Sequence, residues 1–271
     1  MMRAILFDLD GVLYHHNQPI ARAAETVAWV REQAIPQLFV TNTTSRPRAA
    51  LVEKLGSFGI QATEAEIHTP AAVAAQWLRA NPPGDIALFL RPSTRSEFAG
   101  LPILPDTAER GAAYVVIGDL EDMWDYRTLN RAFRLLHHNP EARLIALGMT
   151  RYWLASDGLA LDVAPFVAAL EHATGRTPLV LGKPAPAFFQ GAVERLGLPA
   201  EEILMIGDDV KADVGGAQAA GLKGALVRTG KFRPADLEVE VKPYAVLDSI
   251  ADLPRFWQSV TAQSPSEYSS T

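Results

Sequence analysis

Short runs of apolar residues alternate along the chain with longer segments whose apolar positions recur at helical spacing. The apolar runs, several of which end in Gly or Asp, are AILFDL (4–9), QLFV (37–40), DIALFL (85–90), AYVVIGD (113–119), RLIALG (143–148), PLVLGKP (178–184), ILMIGDD (203–209), GALVRTG (224–230) and YAVLDSI (244–250). The segments with helical spacing cover 20–33, 45–59, 126–139, 162–175 and 210–221. This alternation predicts an α/β fold around a parallel sheet. Strands that are apolar throughout are typical of a sheet covered on both faces.

Polar side chains stand where several of the predicted strands end, and open α/β sheets bind their ligands at these ends. Each of these residues alone has a structural explanation, because Asp, Thr and Asn favour turns and helix caps. Together they indicate a shared site. The candidates are Asp8 and Asp10, Thr41 and Asn42, Lys183, and Asp208 with Asp209 and Asp213.

The residue types in this set are those that metal-assisted phosphoryl chemistry requires. Converging carboxylates repel one another unless a cation lies between them, and oxygen ligands without His or Cys suit a hard ion such as Mg²⁺. A lysine and a hydroxyl group nearby suit a bound phosphate dianion. A carboxylate can attack the phosphorus of such a phosphate and form an aspartyl-phosphate. We therefore expect Asp8 to be the nucleophile and Asp10 to protonate the leaving group and then deprotonate water.

Composition and charge narrow the class of protein. With 271 residues, 48% of them hydrophobic, the chain can form one large domain or two. Its formal net charge of −6 argues against general binding to nucleic acid or to anionic membranes. The lack of cysteine excludes disulfides, thiolate metal sites and cysteine nucleophiles. Asp8 interrupts the first apolar run too early for a secretory signal, and no run is long enough to span a membrane, so we expect a cytoplasmic protein.

Four segments resemble, in chain order, the motifs of the haloacid dehalogenase-like hydrolase superfamily: DLDGVL, TNTT, GKP and GDDVKAD. The long insertion between the second and third motifs resembles that of the type IIA branch, which carries an α/β cap domain there. The resemblance implies a doubly wound, Rossmann-like core of residues 1–78 and 180–271, a cap of residues 79–179, and a homodimer formed through the cap. The polar segment 262–271 is predicted to be a disordered tail.

The resemblance also implies roles for the carboxylates. Asp8 is expected to be the nucleophile and a Mg²⁺ ligand. Asp10 is expected to be the general acid and base, with its backbone carbonyl on the metal. Asp208 is expected to be a further metal ligand, and Asp209 and Asp213 are expected to surround the ligands without binding the metal themselves.

Phosphate binding is implied for the remaining candidates. Thr41 and the main chain of Asn42 are expected to bind phosphoryl oxygens, and Lys183 to neutralise the nucleophile and the phosphate of a small phosphorylated metabolite. Dehalogenases of the superfamily lack the second aspartate, so Asp10 favours phosphoryl transfer. Three readings remain open from the sequence: hydrolysis, transfer of the phosphoryl group to an acceptor other than water, and binding or scaffolding without effective turnover.

Overall fold

The computed structural model describes residues 1–155 and 158–262. Its strands, in chain order, are β1 (Ala4–Asp8), β2 (Tyr14–His15), β3 (Gln18–Pro19), β4 (Gln37–Val40), β5 (Ile67–His68), β6 (Ile86–Phe89), β7 (Tyr114–Ile117), β8 (Arg143–Ala146), β9 (Tyr152–Ala155), β10 (Gly158–Leu161), β11 (Leu179–Val180), β12 (Ile203–Gly207), β13 (Lys223–Val227) and β14 (Ala245–Leu247). Its α-helices are α1 (Ala23–Glu32), α2 (Arg48–Ser57), α3 (Pro70–Ala80), α4 (Tyr126–His138), α5 (Val163–Thr174), α6 (Pro186–Leu196), α7 (Gly216–Ala219) and α8 (Leu253–Ala262).

The chain divides into two compact units. The first contains Met1–Thr41, Leu51–His68 and the described residues from Phe189 onward, and the second contains Asn42–Ala50 and Thr69–Phe188. The second unit therefore includes residues 42–50, 69–78 and 180–188, which the division made from the sequence placed with the core.

The first unit is built on a six-stranded parallel sheet in the order β14-β13-β12-β1-β4-β5. β1 lies in the middle and pairs with β12 on one side and with β4 on the other, so the chain extends the sheet in both directions from β1. This arrangement confirms the predicted doubly wound, Rossmann-like core. β1, β4 and β12 are buried along their whole length, as predicted for strands covered on both faces.

The second unit has its own parallel sheet, of four strands in the order β11-β8-β7-β6. A buried cluster that includes Phe89, Leu135 and Val167 joins this sheet to helices α4 and α5. β9 and β10 form a separate two-stranded antiparallel sheet. The unit confirms the predicted α/β character of the insertion, whereas its role as a cap stays a prediction.

Some local elements differ from the sequence-based expectation. The pattern predicts one helix over 210–221, but the structure has a π-helical turn, Val210–Gly215, followed by the short helix α7. Helix α8 includes Ala262, the first residue of the predicted tail, and residues 263–271 lie outside the described part of the chain. Across that described part, no helix is long and apolar enough to cross a membrane.

Candidate active site

Three of the predicted site residues stand at the carboxyl ends of adjacent strands in the first unit. Asp8 is the last residue of β1, Thr41 follows β4, and Asp208 follows β12. In the parallel register Asp8 lies opposite Val40, and Phe7 lies opposite Ile206, so the three strands end at one edge of the sheet. Sheet order reverses at β1, and ligands of doubly wound sheets bind at this switch point.

Three buried carboxylates come together at this edge. One oxygen each from Asp8, Asp208 and Asp213 lies within 4.8 Å of the other two, and the residues are only 6%, 2% and 1% exposed. Two unit charges at that separation repel by about 3 kcal/mol at an effective dielectric constant of about 20. A cation between them reverses this term, and an all-oxygen donor set suits a hard divalent ion. The cluster therefore fits a divalent metal ion.

The π-helical turn after β12 directs Asp213 toward the cluster. Asp209 caps the turn, because its Oδ1 accepts the N–H groups of Lys211 and Ala212 at 3.0 and 2.9 Å. Asp213 in turn accepts the Asp209 N–H through Oδ2 at 3.1 Å. A Cβ atom on Gly207 would lie 2.2 Å from Asp213 Oδ2, so only glycine leaves room for this carboxylate. The sequence predicts that Asp213 surrounds the metal ligands, and the structure places its carboxylate beside those of Asp8 and Asp208.

Asp208 is enclosed by two loops that approach it closely. Gly11 and Gly230 have φ values of +85° and +66°, and a Cβ atom on either would lie 2.0 or 2.1 Å from Asp208 Oδ2. The Lys231 N–H donates to the same oxygen at 2.7 Å, and Thr229 Oγ1 donates to the Gly11 carbonyl at 2.5 Å. Glycine is required at both positions by the left-handed backbone and by the lack of space.

The structure does not bring the Asp10 side chain into the carboxylate cluster. That side chain is 56% exposed and faces His15, with 3.4 Å between Oδ1 and Nδ1. Asp10 lies just past β1, where its backbone forms an isolated bridge with Tyr14. Its predicted roles as acid, base and carbonyl ligand stay predictions.

Asn42 and Lys183 lie together in the second unit. The Lys183 N–H donates to Asn42 Oδ1 at 2.7 Å, and Asn42 Nδ2 donates to the Lys183 carbonyl at 2.9 Å. Lys183 is only 5% exposed. In the first unit, Thr41 is 8% exposed, and its N–H donates to the carbonyl of His68 at 3.2 Å. The predicted phosphate contacts of these residues stay predictions.

Comparisons with known proteins identify the family. A family model described as haloacid dehalogenase-like hydrolase matches residues 5–102, and one described as HAD-hydrolase-like matches residues 180–253. The chain is 38% identical to the phospholysine phosphohistidine inorganic pyrophosphate phosphatase of Homo sapiens over 256 residues, which cover 93% of this chain and 92% of that protein. The chain belongs to the haloacid dehalogenase-like hydrolase family.

Further relatives agree with this assignment. The hydrolase is 37% identical to haloacid dehalogenase-like hydrolase domain-containing protein 2 of Bos taurus, over 92% of this chain and 93% of that protein. Among solved structures it is similar to the p-nitrophenyl phosphatase from Archaeoglobus fulgidus, with a TM-score of 0.86 and 28% identity over 94% of this chain and 99% of that chain. The predicted family is therefore confirmed.

In this haloacid dehalogenase-like hydrolase, Lys231 was not among the site residues predicted from the sequence. Its Nζ lies 3.9 Å from Asp209 Oδ2, and its side chain is exposed. Desolvation alone lowers the pKa of the Lys231 ammonium, but the charges of Asp208, Asp209 and two further site carboxylates more than offset this and raise the pKa overall. Lys231 is thus a cation beside the cluster. The run GALVRTG, which ends one residue before it, is the sequence signal that could have found it.

Proposed function

We propose that the chain is a Mg²⁺-dependent phosphatase that hydrolyses a small phosphorylated metabolite through an aspartyl-phosphate intermediate. The observation that supports this most directly is the buried cluster of Asp8, Asp208 and Asp213 at the switch point of the sheet. The Homo sapiens relative and the similar protein from Archaeoglobus fulgidus are both named as phosphatases, which supports the same reaction class.

The carboxylates of Asp8, Asp208 and Asp213 would hold the Mg²⁺ ion. When bound, the ion would offset their mutual repulsion and polarise a phosphoryl oxygen. Asp8, at the end of β1, supplies the carboxylate that attacks phosphorus. An acyl-phosphate bond forms on Asp8 as the bond from phosphorus to the leaving oxygen breaks.

Asp10 acts as the general acid in the first half-reaction and as the general base in the second. Its exposed carboxyl group gives a proton to the leaving alkoxide and then takes one from the water that attacks the aspartyl-phosphate. Hydrolysis breaks the acyl-phosphate bond, releases inorganic phosphate and restores the Asp8 carboxylate. Thr41 and the main chain of Asn42 bind phosphoryl oxygens, and the Lys183 ammonium offsets their charge.

The test is release of phosphate with and without Mg²⁺, for the wild type and for Asp8→Asn. We expect turnover of p-nitrophenyl phosphate that requires Mg²⁺ and disappears in Asp8→Asn. The next substrates to test are those in the name of the Homo sapiens relative: inorganic pyrophosphate, phosphohistidine and phospholysine. Unchanged turnover in Asp8→Asn would refute the nucleophile assignment. Turnover that rises with added alcohol, with a phosphorylated alcohol as product, would indicate a phosphotransferase, and no turnover would leave the binding or scaffolding role.

We also propose the homodimer that the family resemblance implies, formed through residues 79–179. Strands β9 and β10 support it, because they expose large apolar side chains at Tyr152, Trp153, Leu159 and Leu161. Light scattering is expected to give twice the monomer mass, and a strict monomer would refute the proposal.

A further inference from the structure

We infer that the side-chain amide of Asn42 is a positioning group for Lys183: it holds the lysine backbone so that the ammonium group is directed to the phosphoryl group. Only the main chain of Asn42 was predicted from the sequence to take part in the site. The inference rests on the proposed function, because it assigns Asn42 an effect on turnover that acts through Lys183.

The two hydrogen bonds between these residues are reciprocal. Asn42 Oδ1 accepts the Lys183 N–H at 2.7 Å, while Asn42 Nδ2 donates to the Lys183 carbonyl at 2.9 Å, across 141 positions of sequence. A carboxamide carries a donor and an acceptor on one planar group, so it satisfies both polar groups of a single residue as a neighbouring strand would. An ionised aspartate could accept but not donate, and alanine could do neither.

The backbone of Lys183 has little freedom to move in other directions. Leu181, two residues earlier, donates its N–H to the Ala146 carbonyl at 2.9 Å. A Cβ atom on Gly182 would lie 2.4 Å from the Leu147 carbonyl oxygen and 3.2 Å from Asn42 Oδ1. The segment that carries Lys183 is therefore packed against Asn42 on one side and against the end of β8 on the other.

Asn42 itself belongs to a segment that is held in place within the same unit. Thr94 Oγ1 donates to the Thr44 carbonyl at 3.1 Å. The carboxylate of Glu97 accepts both the N–H and the Nε–H of Arg48 at 2.8 Å, and the Glu97 side chain is only 4% exposed. These contacts hold Thr44 and Arg48, which follow Asn42 closely in the chain, against the segment that contains Thr94 and Glu97.

The hold on the Lys183 backbone affects catalysis through the position of the lysine ammonium group. A lysine is a point charge on a flexible four-carbon stem, and its orientation depends on where its backbone is held. A catalytic charge that is displaced by about 1 Å can lower the rate by about 100-fold. Removing the Asn42 amide should therefore lower kcat by way of Lys183, and the loss should vanish when Lys183 has no ammonium group.

A double-mutant cycle tests this directly. Asn42→Ala, Lys183→Ala and the double variant are compared with the wild type in Mg²⁺-dependent hydrolysis of p-nitrophenyl phosphate. We expect Asn42→Ala to lower kcat by about 10- to 100-fold. In the Lys183→Ala background the same change should lower kcat by less than about twofold. Asn42→Asp, which keeps the volume and the acceptor but loses the donor, is expected to lower kcat as well.

Asn139 provides the matched control for a purely structural effect. Its side chain also makes two hydrogen bonds to backbone groups of the second unit, donating to the Ala112 carbonyl at 2.9 Å and accepting the Glu141 N–H at 3.1 Å. Asn139→Ala should lower thermal stability without lowering kcat in either background. For variants whose turnover is too slow to measure, the same double-mutant cycle is carried out with a second measurement. Calorimetry then gives the affinity of each variant for inorganic phosphate in the presence of Mg²⁺.

The outcomes separate this inference from the function on which it rests. If Asn42→Ala lowered kcat and phosphate affinity by the same factor with and without the Lys183 side chain, the inference would be overturned and the proposed phosphatase activity would remain. A loss of stability at unchanged kcat would also overturn it. A wild-type protein without turnover would overturn the proposed function and this inference with it.

Discussion

Replacing Gly11 with alanine tests whether the backbone around Asp208 holds the proposed metal-binding carboxylate in place. Gly11 has a φ of +85°, and an alanine Cβ there would lie 2.0 Å from Asp208 Oδ2 and 2.5 Å from its Cγ. The left-handed conformation alone costs an alanine about 1–2 kcal/mol. The overlap requires Asp208 or the loop to move, and overpacking of this kind costs a further amount of about 1–3 kcal/mol. We therefore expect Gly11→Ala to lower the free energy of unfolding by about 2–5 kcal/mol.

Gly59 allows the two contributions to be separated. It belongs to the same unit and has a φ of +79°, but the nearest atom to an added Cβ is Ala24 Cβ at 3.8 Å, an ordinary contact. Gly59→Ala should therefore lose only about 1–2 kcal/mol. Urea unfolding of the wild type, Gly11→Ala and Gly59→Ala measures the difference, which is the contribution of the contact with Asp208.

Added Mg²⁺ extends this test from stability to the site. A ligand at 100 times its dissociation constant stabilises the native state by about 2.7 kcal/mol. Wild type and Gly59→Ala should gain this stabilisation, whereas Gly11→Ala should gain little because Asp208 is displaced. Equal losses for Gly11→Ala and Gly59→Ala, together with equal stabilisation by Mg²⁺, would refute the reasoning.

Substitutions at Asp208, Glu97 and Lys231 test three other contacts of the structure. Asp208→Asn should abolish the increase in melting temperature caused by Mg²⁺, because one of three ligand carboxylates is lost; an unchanged increase would exclude Asp208 as a ligand. Glu97→Ala should lower the free energy of unfolding by about 2–4 kcal/mol in urea titrations, because Arg48 loses a buried carboxylate partner; a loss below about 1 kcal/mol would contradict this. Lys231→Ala should change the free energy of unfolding by less than about 1 kcal/mol, since its ion pair is exposed. The same variant should raise KM for an anionic substrate, while the control Lys211→Ala should leave KM unchanged. Equal KM values for the two variants would show that Lys231 does not contribute to the site.

The position of a site residue could be predicted from the sequence where it depends on the sheet alone. Asp8, Thr41 and Asp208 each follow an apolar run, and parallel strands bring their carboxyl ends to one edge. The order of the strands was not needed to predict that these residues belong to one site. It was needed to show that β1 lies between β4 and β12, which makes their ends neighbours.

The position of a side chain that reaches this edge through an irregular turn could not be predicted from the sequence. The role of Asp213 around the metal ligands stays a prediction, but its place could not be derived from the helix predicted over 210–221. A π-helical turn and the absence of a side chain at Gly207 bring its carboxylate to Asp8 and Asp208. Helical periodicity does not distinguish a π turn from an α turn over so few residues. Lys231 was missed for a related reason, because a loop returns it to the cluster from beyond the end of β13.

The sequence by itself determined the α/β class, the family and the residue types of the site, because apolar periodicity and strand-end motifs are local properties of the chain. Only the tertiary structure decided which groups meet. It joined Asp213 to Asp8 and Asp208, left the Asp10 side chain exposed, and paired the Asn42 amide with the backbone of Lys183. These outcomes depend on distances between segments far apart in sequence, which packing and chain direction set and which no local pattern contains.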